Sequence, residues 1–140
     1  MAVETHRIEL KTRGDSEVID LTPPLLDVLG KGRIREGVAT LFVIGSTAGI
    51  TTTEYEPGLV THDLKHYFNK IAPEDAHYQH EATWGDDNGH SHVRASLLGP
   101  SLSVPIVRGR PTLGHWQQVV LLDFDTRPRS REVIVQVVGE

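Results

Sequence analysis

His80, Glu81, Asp86, Asp87, Asn88, His90 and His92 fall within one short stretch, HEATWGDDNGHSH. Imidazole and carboxylate are the ligands that a chain without cysteine offers to zinc and other divalent ions. If this stretch runs into a strand, residues two apart share a face, so His90 and His92 can meet one ion. His80 reaches back across the turn from Trp84 to Gly89. The expectation is a divalent-metal site, zinc or magnesium, on His80, His90 and His92, with Asn88 or a carboxylate behind the ligands. The competing reading is a solvated acidic loop.

Elements to position this cluster can be read on either side of it. Ile8, Leu10 and Thr12 alternate with charged residues as a half-buried strand does, and Val18 to Leu21 reads as a second strand. Thr22-Pro23-Pro24 opens a short helix with Thr22 as N-cap. VATLFVI (38–44) is the strongest buried strand, and Ile50 to Glu54 is extended. After Pro57-Gly58, Val60, Leu64, Tyr67, Phe68 and Ile71 form one apolar helical stripe, which Pro73 ends. His62 and His66 then face away from the core, solvated or at a subunit contact, and Asp63 flanks the stripe beside a possible cleft. Val93–Leu98, Ser101–Val107, Trp116–Phe124 and Glu132–Val138 read as strands separated by turn signals. The last is apolar on nearly both faces, as a central strand is. Strands outnumber helices, which predicts an α+β fold on a β-sandwich core with about two helices.

Composition narrows the function classes. The 140 residues suit one domain, 1–140, and 38% hydrophobic content suits a soluble one. With no cysteine there is no disulfide, thiolate site or thiol nucleophile. No apolar run approaches a membrane span, and the N-terminus lacks a signal-peptide core, so a cytoplasmic location is expected. A net charge of −5 argues against nonspecific nucleic-acid binding. Arginine dominates the basic residues, and Arg127, Arg129 and Arg131 alternate near the C-terminus; a guanidinium fork suits phosphate.

A resemblance rests on the run from His90 to Ser101, then Pro105, Gly109, Leu113-Gly114 and Trp116-Gln117. Thr47-Ala48, Thr52, Glu54, Pro57-Gly58, Asp63-Leu64, Tyr78-x-His80 and Asn88-Gly89-His90 extend it over nearly the whole chain. Together they resemble the YjbQ family. The resemblance implies a jelly-roll-like α+β sandwich and a homotrimer with sites near subunit boundaries. It also implies a secondary thiamine-phosphate synthase activity, joining hydroxymethylpyrimidine pyrophosphate to hydroxyethylthiazole phosphate with release of pyrophosphate. Two positions depart from the pattern: Gly45 stands where many members have histidine, and His115 where they have threonine.

Such a reaction needs no protein nucleophile, because the thiazole nitrogen attacks. It needs two substrates held in line and charge stabilisation on the leaving pyrophosphate. The residues expected to act on the reacting groups are His90, His92, Glu54 and Arg94. Ser46, Thr47, Ser96, Ser101, Trp116 and Gln117 are expected to bind substrate through hydroxyls, backbone amides and stacking. Two other classes remain open: a metal-dependent hydrolase of a small phosphorylated metabolite, and a non-enzymatic trimeric module binding metal or an anion.

Overall fold

The computed structural model describes residues 1–140. Alternating residues draw out β1 (Ala2–Thr12), which pairs along its full length with β8 (Arg129–Gly139). On the other side of β8 lies β3 (Gly37–Ile44), then β5 (Ser101–Val107) and the two-residue β6 (Arg110–Pro111), closing a five-stranded antiparallel sheet. A second sheet has the order β2 (Glu17–Asp20), β7 (Gln118–Asp123), β4 (Ala48–Thr53). Ile8, Ala39, Leu41, Val43, Val104, Ile106, Val133, Val135 and Val137 from the first sheet pack onto Ile50, Val119 and Leu121 of the second. Helix α1 (Thr22–Lys31) adds Leu25, Val28 and Leu29 to the same core.

A third layer covers the outer face of the small sheet. Val120 and Leu122 of β7 pack with Val18 against Val60, Ala95, Leu64, Phe68 and Leu98. The first helix of this layer begins as a π-helical turn, Leu59–Asp63, and continues as α2 (Leu64–Ile71). Helices α3 (Gln79–Trp84) and α4 (Gly89–Leu98) follow. The mixed α+β architecture with a two-sheet core is as the sequence predicts, but there are four helices rather than two. No helix is long and apolar enough to cross a membrane.

Three expectations change. Strand β8 is central, yet of its apolar run only Val133, Val135 and Val137 are buried; Ile134 is half-buried, and Gln136 and Val138 are exposed. The strand covered on both faces is β7 instead. The stripe on α2 breaks, because the π-turn adds a residue to the helical repeat and rotates Tyr67 and Ile71 out, to 60% and 65% exposed. Thr22 is the first helical residue, not the cap, and its hydroxyl accepts from Val119 N–H at 2.9 Å.

The largest change concerns residues 93–98, which are the C-terminal part of α4 and not a strand. Asn88 sits at the helix start, Gly99 closes it at φ 94°, and Ser91, Arg94 and Ala95 supply the buried face. The end of α4 is seated on the small sheet, where Ile50 N–H donates to Gly99 O at 3.0 Å. Gly49 permits that approach: a Cβ there would meet Gly99 O and Leu98 Cδ2 at 2.7 Å.

Candidate functional site

At one end of the sandwich the layer between the sheets changes from aliphatic to ionic. The inward row Val137, Val135, Val133 of β8 continues as Arg131, and the inward row Val119, Leu121 of β7 continues as Asp123. A charge between two sheets persists only if it is paired and hydrogen-bonded. Arg131 donates through Nε to Asp123 Oδ2 at 2.7 Å and through Nη2 to Asp123 Oδ1 at 3.0 Å, a bidentate pair. Thr12 adds a hydroxyl donor to Asp123, and Nη2 also reaches Thr47 Oγ1 at 2.7 Å.

Asp125, two residues further, collects a second set of donors. Thr126 N–H (2.7 Å), Thr47 Oγ1 (2.9 Å) and Arg129 Nε (2.8 Å) all donate to it. Burial pushes the Asp125 carboxyl up, but these donors outweigh burial and hold its pKa below the ordinary value. Its charge is therefore present near neutral pH and already spent on its partners.

Donors are left over. The hydrogen bonds of Arg131 use Nε and Nη2, while Nη1 lies against Gly45 at the cavity edge. Gly45, at φ 135°, makes room for it: a Cβ would sit 2.6 Å from Nη1. Arg129 commits only Nε. These edges face a cavity of about 380 Å³ lined by Gly45, Ser46, Thr47, Asn88, His92, Asp125, Arg129, Ser130 and Arg131, with no apolar residue. Asn88 Oδ1, buried at its wall, has no hydrogen-bond partner.

Helix α4 supplies the imidazole. Residues two apart on a helix lie about 200° apart around the axis. His92 therefore turns to the cavity, and His90 turns inward beside Tyr78, ring centroids 6.3 Å apart. Burial, then the charge of Arg94, lowers the His90 pKa; its Nδ1 has no partner. The expected triad of His80, His90 and His92 does not form. His80 and His92 do meet, with ring centroids 4.6 Å apart. The ligand atoms that converge belong to His80, Glu81 and Asp86, all within 4.8 Å of one another. His80 Nδ1 hydrogen-bonds Glu81 Oε1 at 3.0 Å. Asp86 Oδ1 lies 3.1 Å from the same nitrogen without hydrogen-bond alignment, and is otherwise buried without a partner.

A family model described as UPF0047 protein YjbQ-like matches residues 6–140. The chain belongs to the YjbQ family. This YjbQ-family chain is 37% identical over 140 residues to a UPF0047 protein of Methanothermobacter thermautotrophicus, covering 100% of this chain and 95% of that one. It is 30% identical over 138 residues to the UPF0047 protein YjbQ of Escherichia coli O157:H7, covering 98% and 97%. The crystal structure of hypothetical protein APE1520 from Aeropyrum pernix superposes with a TM-score of 0.90 at 28% identity, covering 98% of this chain and 99% of that one. None of these names carries an activity.

Within the YjbQ-family chain the expected site residues divide. Ser46, Thr47 and His92 share the cavity with Arg129 and Arg131. Arg94 does not: it is 3% exposed and donates to Ala72 O, Ser16 Oγ and Asn69 Oδ1. Ser96 is exposed and its hydroxyl returns to His92 O at 2.7 Å. Ser101 and Gln117 line a separate cavity of about 340 Å³ with Thr52, Leu98 and Leu113. Trp116, 70% exposed, meets His115 edge-on at 4.7 Å, and neither residue lines the cavity beside Gly45. Glu54 is exposed beyond the far end of β4, roughly 20 Å along the strand from Thr47 at about 3.3 Å per residue. Asp63 bonds its neighbour His62 at 2.8 Å and enters no cleft. Arg129 and Arg131, which the sequence offers as forks suited to phosphate, line the cavity, while Asp123, Asp125 and Ser130 carry the site without having been singled out for it. The available signal for the two aspartates was their spacing, Asp-x-Asp, at the close of the apolar run of β7.

Proposed function

We propose that this chain binds a phosphorylated small metabolite between Arg129 and Arg131 and transfers a heterocyclic group from it, as a thiamine-phosphate synthase does. The observation that carries the reading is the free Nη1 edge of Arg131, held in place by Asp123 and turned into a wholly polar cavity. Planar N–H donors in fixed positions match phosphate oxygens, and bracing by a buried carboxylate means they need no reorganisation when charge develops.

In that reaction the thiazole nitrogen forms a bond to the pyrimidine's methylene carbon as the carbon–oxygen bond to pyrophosphate breaks. The electron pair leaves on pyrophosphate. Arg129 and Arg131 take up that charge, the Ser46 and Ser130 hydroxyls donate to the remaining phosphate oxygens, and His92 stands at the rim as a proton donor to the departing group. His80, Glu81 and Asp86 fit a divalent ion, because three ligand atoms already converge and one carboxylate oxygen lacks a partner. An ion bound there supplies charge neutralisation to phosphate oxygens. Two substrates also need more wall than one cavity offers. A homotrimer would meet this need, since a neighbouring copy would bring its own surface to the open side of the cavity. Val3, Val138, Val38 and Pro105 lie in register across the outer face of the larger sheet, a partly apolar surface suited to such contact.

The test supplies hydroxymethylpyrimidine pyrophosphate, hydroxyethylthiazole phosphate and a divalent cation. Slow formation of thiamine phosphate is expected, lost in Arg129→Ala and reduced in His92→Ala, with Ser96→Ala unchanged. Phosphate release that does not depend on the thiazole substrate would point instead to a hydrolase, which the His80 cluster favours. No turnover of any kind would leave a binding module. Light scattering is expected to give the mass of three chains.

A further inference from the structure

We infer that His62 and His66 form a clip for one borderline transition-metal ion, of the zinc, nickel or copper class, outside the Arg129–Arg131 cavity. His62 stands in the π-helical turn and His66 in the first turn of α2. Their rings are stacked, with centroids 5.5 Å apart and planes 14° from parallel. On a regular α-helix residues four apart are offset by about 40° around the axis. The wider winding of a π-turn turns less per residue, so the pair comes closer to eclipse.

That winding has a cost elsewhere on the helix. It moves Tyr67 and Ile71 from the buried stripe to 60% and 65% exposed. In the register the chain adopts, Val60, Leu64 and Phe68 keep the core contact while the two imidazoles come into line. π-turns inside helices often sit at functional positions.

The orientation of His62 is fixed as well. Asp63 Oδ1 accepts from His62 Nδ1 at 2.8 Å, which places the ring proton on Nδ1 and leaves the Nε2 lone pair free. Tyr67 meets His66 edge-on, centroids 5.1 Å apart, and limits its swing from that side. Both histidines are largely solvated, so small χ changes can bring their nitrogens to the roughly 2.0–2.1 Å that zinc requires. Two neutral imidazoles and water select borderline ions; magnesium and calcium call for oxygen ligands.

Titration calorimetry on the untagged 140-residue chain, with zinc chloride and with nickel chloride in a non-coordinating buffer, tests this. A His80→Ala background removes the contribution of the His80–Glu81–Asp86 group. One ion per chain is expected. His62→Ala and His66→Ala should each weaken it more than about tenfold, and Asp63→Asn by about tenfold, the usual loss for a carboxylate that orients a ligand. Unchanged affinity in either histidine variant would overturn the clip. So would two weak, independent sites of which each variant removes one.

Discussion

Arg94 and Arg131 are buried to nearly the same degree, 3% and 7% exposed, yet they serve opposite ends. Arg94 gives Nε, Nη1 and Nη2 to three neutral acceptors, Ala72 O, Asn69 Oδ1 and Ser16 Oγ. It thereby ties the end of α2 and the β1–β2 turn to α4. Arg131 is gripped on one side by Asp123 and left open on the other, where Gly45 stands back from it. A buried charge is therefore no mark of a binding site by itself. The mark is the donor that remains once the fold has been satisfied.

Substitutions break this comparison from the larger side first. Arg131→Met leaves Asp123 buried without its cation and should destabilise the chain by about 3–5 kcal/mol, the cost of halving a buried pair, as well as abolishing anion binding. Arg94→Met should cost about 2–3 kcal/mol by orphaning its acceptors, read from urea unfolding, while the folded fraction still binds pyrophosphate. Arg129→Ala, at the half-open side, takes one of three donors from buried Asp125 and should cost about 1–2 kcal/mol, less than Arg131→Met, while weakening pyrophosphate roughly tenfold, the worth of one charge-assisted bond.

A smaller effect comes from His90, on the Arg94 side of α4. Its folded pKa lies below the unfolded value of 6.5, because burial and Arg94 disfavour the cation. Below that pH the unfolded chain takes up a proton that the folded chain resists, so stability should fall as pH drops through about 6.5. His90→Asn should flatten that part of the curve in unfolding measured between pH 7.5 and 5.5.

The same helix shows what sequence could and could not reveal. Strand β1 was legible through its period-two alternation, and β3 and β8 through continuous apolar runs, although only alternate residues of those two are buried. Residues 93–98 looked like a strand because Val93, Leu97 and Leu98 are apolar. Yet Val93 and Leu97 are exposed, and the helix is specified by Ser91 and Ala95, small residues four apart, between Asn88 and Gly99. That misreading also decided the metal triad, since His90 and His92 share a face only on a strand. The π-turn left no sequence signal, as Tyr67 and Ile71 fit an ordinary apolar stripe. Ser46, Thr47 and His92 were legible as parts of a site, whereas the floor of Asp123, Asp125 and Arg131 emerges only when β1, β7 and β8 are brought together.

Phosphate held on the open edges of Arg129 and Arg131 is the property on which the proposed function depends. Titration of inorganic pyrophosphate into the metal-free chain at low salt should show one ligand per chain, with affinity falling as salt rises and about tenfold weaker in Arg129→Ala. Absence of binding, or equal affinity in the wild-type and Arg129→Ala proteins, would contradict it.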